Sequence, residues 1–403
     1  MVVVWQTRAG APFAAAAVSD SAPAESHGNF QIRERLLRQC VHQQLDAVER
    51  PSGGGGGSAC ERCAVELHGR FVGDAECDGV RWRLVLSALD APTFHLSFDL
   101  RVSSAVGGAS MAPNRAQLSY DLAGAGAVWG LGVQFRHFNL RGHCVPAFVS
   151  EQGIGRGAPE TQPMTRILNT LGGGAGGNDY TTYASSASVL TSAGSGLLLE
   201  NSELSFWDLG SAGCPNTRSL LWGGRRFGAI GRDANTLSVT IHAPQLRGRI
   251  LAPAPCAACA AADGAGFAAE STHLALIESL TSFTGRMRPL PAWADTGLIL
   301  GVQGGTATVQ ARLAAVQEAG VPVAAVWLQD WVGKRYTPTG ERLWWNWVRD
   351  ERTYAGWDAM RASIAPVRLL TYVNSMVSDP AEDEVEDERG WWSVGVGGML
   401  VSA

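Results

Sequence analysis

Twenty-one consecutive residues, WLQDWVGKRYTPTGERLWWNW at positions 327–347, hold five of the chain's 14 Trp, interleaved with Gln329, Asp330, Lys334, Arg335 and Arg342. These are residue types for holding a ligand. Guanidinium and indole N–H groups donate hydrogen bonds, and a Gln amide both donates and accepts. Indole faces offer flat apolar area. The stretch follows directly on an apolar run at 321–326. A strand that opens into a long polar and aromatic loop is how an enzyme of alternating β and α elements presents a ligand site at the strand's carboxyl end. The plainer reading of the same residues is that the Trp fill a core and the Arg are solvated.

The elements that must position this stretch follow two patterns. Over residues 1–286, alternating or apolar runs at 82–86, 93–102, 116–122, 196–199 and 236–242 are separated by Gly, Pro, Asn and Asp clusters, the pattern of an antiparallel sandwich. Helical periodicity is scarce there. Low-complexity tracts at 52–58, 172–177 and 256–266 read as surface insertions, since Gly- and Ala-rich chain has little to bury and much backbone entropy to lose.

Near residue 271 the period changes. THLALIESLTSF at 272–283 has helical spacing, with Gly285 as its stop, and reads as a link between domains. A short buried strand at 298–302 and the Gly304-Gly305 turn follow. The spacing then predicts a helix over 306–319, with Thr306 as N-cap and Gly320 as stop. A strand at 321–327, a helix at 354–363 and a strand at 367–373 complete the pattern. Strand and helix in alternation, with nearly all-apolar strands, predict a parallel sheet built by right-handed crossovers. The expected architecture is mixed β plus α/β. An antiparallel β-sandwich occupies 1–286, and the first part of a (β/α)8 barrel occupies 287–403, with about three of the eight strands that closure requires.

The bulk numbers exclude some classes of function. A chain of 403 residues with 46% apolar and 17% charged residues, and no apolar run long enough to span a bilayer, reads as soluble and globular. A net charge of −5 gives no basic footprint for nucleic acid or anionic lipid, which favours a small-molecule or carbohydrate partner. The first 17 residues carry an apolar patch ahead of their first basic residue, Arg8, so they predict no targeting segment. Compartment and oligomeric state are left open. Of eight Cys, Cys60 and Cys63 form one CxxC pair and Cys256 and Cys259 another. Two such pairs can close a tetrahedral zinc site. These lie far apart, each beside a Gly- or Ala-biased tract, and read as unpaired thiols in variable loops. No metal and no cofactor is expected, and His137 and His143 read as surface or satisfied histidines.

Several stretches together resemble glycoside hydrolase family 31 and, within it, the sulfoquinovosidase branch, over residues 28–379. They are GNFQIRERL at 28–36, WGLGVQFRHFNLRG at 129–142, SEQGIGR at 150–156, LILGVQGG at 298–305 and QDWxGxR…R…WNW within 329–347. The resemblance implies a galactose-mutarotase-like sandwich packed on a (β/α)8 catalytic barrel and retaining hydrolysis of α-glycosides. For this branch it also implies a sugar that carries a sulfonate at C6. Gln329 would take the position that binds the sugar's 4-hydroxyl, where neutral-sugar members have Asp. Arg342 and Trp345 would take the positions that bind the sulfonate. Gln303, at the end of the first barrel strand, either faces the pocket or satisfies loop backbone.

The physical chemistry agrees with that assignment. A sulfonate is a permanent anion with three acceptor oxygens, suited to a guanidinium and an indole N–H. An Asp at 329 would repel it, whereas a neutral Gln does not. Trp331, Trp344 and Trp347 are expected to stack on sugar C–H faces, and Asp330 to orient Arg342 or Lys334 by an ion pair. Glu151 and Arg156 are expected to hold a sandwich loop over the barrel mouth. Val133 stands where relatives usually carry Glu.

A retaining glycosidase needs two carboxyl groups about 5 Å apart. The resemblance puts both on later barrel strands, with the nucleophile in a W-x-D-x-x-E-like motif that does not occur here. The acidic run at 382–388 reads as solvated. No Asp or Glu therefore receives a catalytic role, and the sequence reads as an incomplete copy of such an enzyme. The alternatives are a non-catalytic carbohydrate-binding fragment, a glycosidase of neutral α-glucosides, and an interaction protein in which the barrel part only packs.

Overall fold

The computed structural model describes residues 11–26, 29–50, 64–88, 95–104, 112–122, 124–134, 137–149, 182, 184–211, 234–252, 265–337, 340–374 and 377. The chain forms two compact units, Met1–Arg286 and Met287–Ala403. The four CxxC cysteines, the tracts at 52–58 and 172–177, and the loop holding Glu151 and Arg156 lie outside the described residues.

The first unit is a sandwich of two antiparallel sheets. Its strands are β1 (Ala14–Ser26), β2 (Asn29–Cys40), β3 (Gln43–Glu49), β4 (Ala64–Phe71), β5 (Val80–Ala88), β6 (His95–Ser104) and β7 (Arg115–Asp121). They continue with β8 (Val128–Gly130), β9 (Cys144–Ala147), β10 (Ser188–Thr191), β11 (Gly196–Leu199), β12 (Ser205–Leu209), β13 (Thr236–Ile241) and β14 (Gln245–Leu251). One sheet runs β2-β1-β7-β13-β12-β9 and the other β3-β4-β5-β6-β14-β11-β10-β8. Side chains alternate faces along a strand, so β5 buries Trp82 and Leu84 while Arg81 is exposed. Phe98, Leu100, Leu118, Trp207, Val239 and Ile241 complete the middle of the core with them.

On β7 both faces are buried. Ala116, Leu118 and Tyr120 join the core, and Gln117 and Ser119 on the other face are joined by a hydrogen bond that continues to Ser238 on β13. Gln117 Nε2 donates to Ser119 Oγ at 3.1 Å, and Ser119 Oγ lies 2.8 Å from Ser238 Oγ. Gly69, in mid-strand on β4, is explained by close approach. It pairs with Trp82, and a Cβ there would lie 2.2 Å from the indole and 2.1 Å from the Gln44 carbonyl oxygen. A disulfide joins Cys40, at the end of β2, to Cys77 in a short 3-10 turn.

Helix α1 (Ala265–Thr284) begins seven residues before the expected 272. Its first turns take in the end of the Ala-rich tract, which had read as an insertion. Ala is the best helix former, and the tract satisfies helical backbone without needing an apolar face.

A cross-strand charge cluster on β4 and β5 gives a first prediction. The Glu66 carboxylate accepts from Arg83 Nε and Nη2 and lies 2.7 Å from His68 Nε2. The Arg83 hydrogen bonds, joined by the charges of Arg83 and His68, hold the Glu66 carboxyl below its ordinary value against the opposing effect of burial. A depressed carboxyl contributes stability above its unfolded pKa of about 4.3 and loses it as pH falls through the folded value. Acidification below about pH 4.3 should therefore lower the melting temperature of the wild type more steeply than that of Glu66→Gln in scanning calorimetry.

The second unit is α/β. It contains β15 (Leu298–Val302), α2 (Gly305–Glu318), β16 (Val323–Leu328), a hairpin of β17 (Lys334–Thr337) and β18 (Gly340–Leu343), α3 (Trp357–Ser363) and β19 (Arg368–Thr371). The sheet is parallel in the order β15-β16-β19. Val302, Val309, Leu313, Val326, Leu328, Tyr354, Met360 and Ile364 form its core. Leu298 and Ile299 are 46% and 44% exposed, so part of the apolar β15 strand faces outward. Among the described residues no helix is long and apolar enough to cross a membrane.

Three local expectations are corrected. Thr306 does not cap α2. Gly304 at φ 100 is the cap and Gly305 at φ 88 is the first helical residue, so two glycines make the left-handed turn into the helix. The Thr306 hydroxyl donates instead to the Ala355 carbonyl at 2.8 Å. Helix α3 begins at Trp357 rather than 354, because Tyr354 is drawn fully into the core ahead of it. The stretch at 327–347 is not one long loop but contains the β17–β18 hairpin.

Candidate functional site

Neighbouring parallel strands end together. Val302 of β15 is in register with Leu328 of β16, so Gln303 and Gln329 emerge side by side at the carboxyl edge of the sheet. Gln303 Nε2 donates to Gln329 Oε1 at 2.5 Å. Of the two expectations for Gln303, the amide meets the other Gln rather than loop backbone.

Asp330 follows Gln329 and is 2% exposed. Its carboxylate accepts from the Gly304 N–H at 2.9 Å and from the Tyr354 hydroxyl, and Lys334 Nζ lies 3.6 Å away. The expected ion pair to Lys334 is present, but the backbone and phenol bonds are closer. Burial first, then the Asp330 carboxylate that its O–H serves, pushes the Tyr354 phenol up from its ordinary value. Arg342 lies on β18 paired with Arg335 on β17. Its backbone is described and its side chain is not. Trp345 is half-buried in the turn after that strand.

The aromatic residues divide by role. Trp331 was expected to stack on sugar. Its indole N–H donates to the Tyr372 carbonyl at 2.8 Å, and its half-buried ring packs against the second core. Trp347, at φ 53, lies 6.4 Å from Trp331 and 6.2 Å from Tyr372 between ring centroids. Trp344 is half-buried, and its backbone N–H donates to the Gly333 carbonyl at 3.2 Å.

Sequence reasoning missed two residues here. One is Tyr354, whose only signal was a phenol placed where a core residue belongs, since a buried Tyr hydroxyl has to find a partner. The other is Asp350. It accepts from Thr353 Oγ1 at 2.5 Å and from the Arg352 N–H at 3.1 Å, while its own N–H donates to the Trp331 carbonyl at 3.0 Å. The Thr353 hydrogen bond is the main reason its carboxyl lies below the ordinary Asp value.

In the first unit, Val133 is 49% exposed and its N–H donates to the Ala184 carbonyl. His137 and His143 stack at 4.2 Å. Among the described residues no group of three or more His, Cys, Asp or Glu is arranged to hold a metal ion.

No family model matches the chain. It is 29% identical over 253 residues to the sulfoquinovosidase of Escherichia coli (strain K12), covering 62% of this chain and 31% of that protein. It is 27% identical over 274 residues to the sulfoquinovosidase of Agrobacterium fabrum, covering 67% and 35%. The chain thus spans 31–35% of the length of these curated relatives. Among solved structures, a GH31 family sulfoquinovosidase from E. rectale in complex with an aza-sugar inhibitor superposes with a TM-score of 0.62 at 22% identity, over 91% of this chain and 44% of that one. The likeness shows the fold, a β-sandwich followed by part of a (β/α)8 barrel.

Proposed function

We propose, for a chain that is sulfoquinovosidase-like and of glycoside hydrolase family 31, that it carries the sugar-selecting part of a retaining α-glycosidase acting on α-sulfoquinovosides. The observation that supports this reading best is the neutral pair Gln303–Gln329 at the carboxyl ends of adjacent parallel strands. Two amides offer donors and acceptors to a sugar hydroxyl without placing a negative charge beside a sulfonate. In this reading Gln329 binds the 4-hydroxyl with Gln303 beside it, and Arg342 and Trp345 bind the sulfonate. The carboxyl groups that react are neither Asp330 nor Asp350, whose oxygens are spent on Tyr354, Gly304, Thr353 and Arg352. No cofactor is needed for this chemistry.

The test is isothermal titration of the 403-residue chain with methyl α-sulfoquinovoside and with methyl α-glucoside. A charge-assisted hydrogen bond contributes about 1.5–3 kcal/mol, so the sulfonated sugar should bind at least about tenfold tighter. Equal affinity would favour a neutral α-glucoside, and binding of neither sugar would remove the reading. Hydrolysis of an aryl α-sulfoquinovoside by this chain would overturn the claim that the described carboxylates do not react.

A further inference from the structure

We infer that Tyr354 and Asp330 are a positioning pair that sets the spacing of Gln303 and Gln329, an inference that rests on reading Gln329 as the partner of the sugar's 4-hydroxyl. Each Gln is followed directly by a residue held in the same carboxylate bond set. Gly304, next to Gln303, donates its N–H to Asp330 Oδ2, and Asp330 itself is next to Gln329. The Tyr354 hydroxyl holds the other oxygen, Oδ1, so the carboxylate cannot turn without breaking one of the two bonds.

The segment that carries Tyr354 is itself fixed against the same turn. The Thr306 N–H donates to the Thr353 carbonyl at 3.3 Å, and the Thr306 hydroxyl donates to the Ala355 carbonyl. A Cβ at Gly305 would lie 2.3 Å from the Thr353 carbonyl oxygen, which is how closely the two segments approach. Asp330 and Tyr354 are buried at 2% and 0% exposure, so neither reaches the sugar, and Lys334 at 3.6 Å offsets the buried charge. Two side chains that touch no ligand thus hold together two that do. The hydrogen bond between the two Gln amides is the contact that this spacing allows.

The experiment compares the full chain with Tyr354→Phe, which keeps the ring and removes the hydroxyl, and with the near-isosteric Asp330→Asn. Two readouts are taken. The first is binding of methyl α-sulfoquinovoside and of its 4-deoxy analogue. Loss of one hydrogen bond to a buried carboxylate should cost the parent sugar about tenfold in affinity. The 4-deoxy analogue, which has no hydroxyl for Gln329 to meet, should bind both variants as it binds the wild type. Where the wild type binds the sulfonated sugar, equal loss on the two ligands, or loss on neither, overturns the inference.

The second readout is the side-chain amide resonances of 15N-glutamine-labelled protein, with Gln303 and Gln329 assigned by Gln303→Ala and Gln329→Ala. Both should move in Tyr354→Phe while the remaining Gln amides stay. If they do not move, the positioning pair is wrong whatever the sugar does. If they move but the wild type does not bind the sulfonated sugar, the pair stands and the substrate reading falls.

Discussion

Arg342→Ala is expected to weaken binding of methyl α-sulfoquinovoside by roughly a hundredfold and to change binding of methyl α-glucoside by less than about threefold. The reason is the permanence of both charges. A sulfonate does not protonate and a guanidinium does not deprotonate near neutral pH, so their hydrogen bonds are charge-assisted at every accessible pH. Planar fork geometry adds a second bond that an ammonium does not reproduce, so Arg342→Lys should recover only part of the affinity. Titration calorimetry at two salt concentrations checks this, since the wild-type preference should shrink as added salt screens the pair. A comparable loss for the neutral sugar would show instead that Arg342 holds the β17–β18 hairpin.

Trp82→Ala is expected to cost the first unit about 3–5 kcal/mol, the range for emptying a large aromatic site. That is a large fraction of the 5–15 kcal/mol typical of a folded domain. Trp82 is 2% exposed, meets Phe13 edge-on at 5.1 Å, and lies across the Gly69 backbone, so β4, β5 and the residue ahead of β1 lose contacts together. Its indole N–H is buried without a hydrogen-bond partner among the described residues. Trp82→Phe removes that unpaired donor with part of the ring and should cost less than about half as much. Urea denaturation followed by circular dichroism separates the two variants, and a Phe variant as unstable as the Ala one would show that the ring's size decides.

What the sequence made legible was periodicity. The strand at 298–302 coincides with β15 and that at 196–199 with β11, because apolar runs bounded by Gly leave little choice of ends. Thr306 misled because a hydroxyl ahead of an apolar run is a cap signal, whereas two glycines in left-handed conformation had already made the turn. Inside 327–347 the hairpin was not legible, since the interleaved Trp and Arg read as one ligand-holding loop. Gln303 and Gln329 were visible as residues, but their meeting depends on β15 and β16 ending in register. Tyr354 and Asp330 stand 24 residues apart, on either side of the β17–β18 hairpin. The Cys40–Cys77 disulfide was illegible for the same reason, since nothing local pairs two cysteines 37 residues apart.

The strand order of the six-stranded sheet also sets when the chain can fold. Ala14 pairs with Leu118, and the same β7 strand pairs through Ala116 with Ile241. Strand β1 therefore waits for β7, and β7 waits for β13. Contacts of such long sequence separation are slow to form because loop-closure entropy is lost before any pairing repays it. During synthesis the β1–β2 hairpin leaves the ribosome long before its partner strand exists, with one edge of β1 open to pair with other chains. Refolding of this protein should accordingly be slow and sensitive to protein concentration, and the sandwich cannot close until Ile241 has been made.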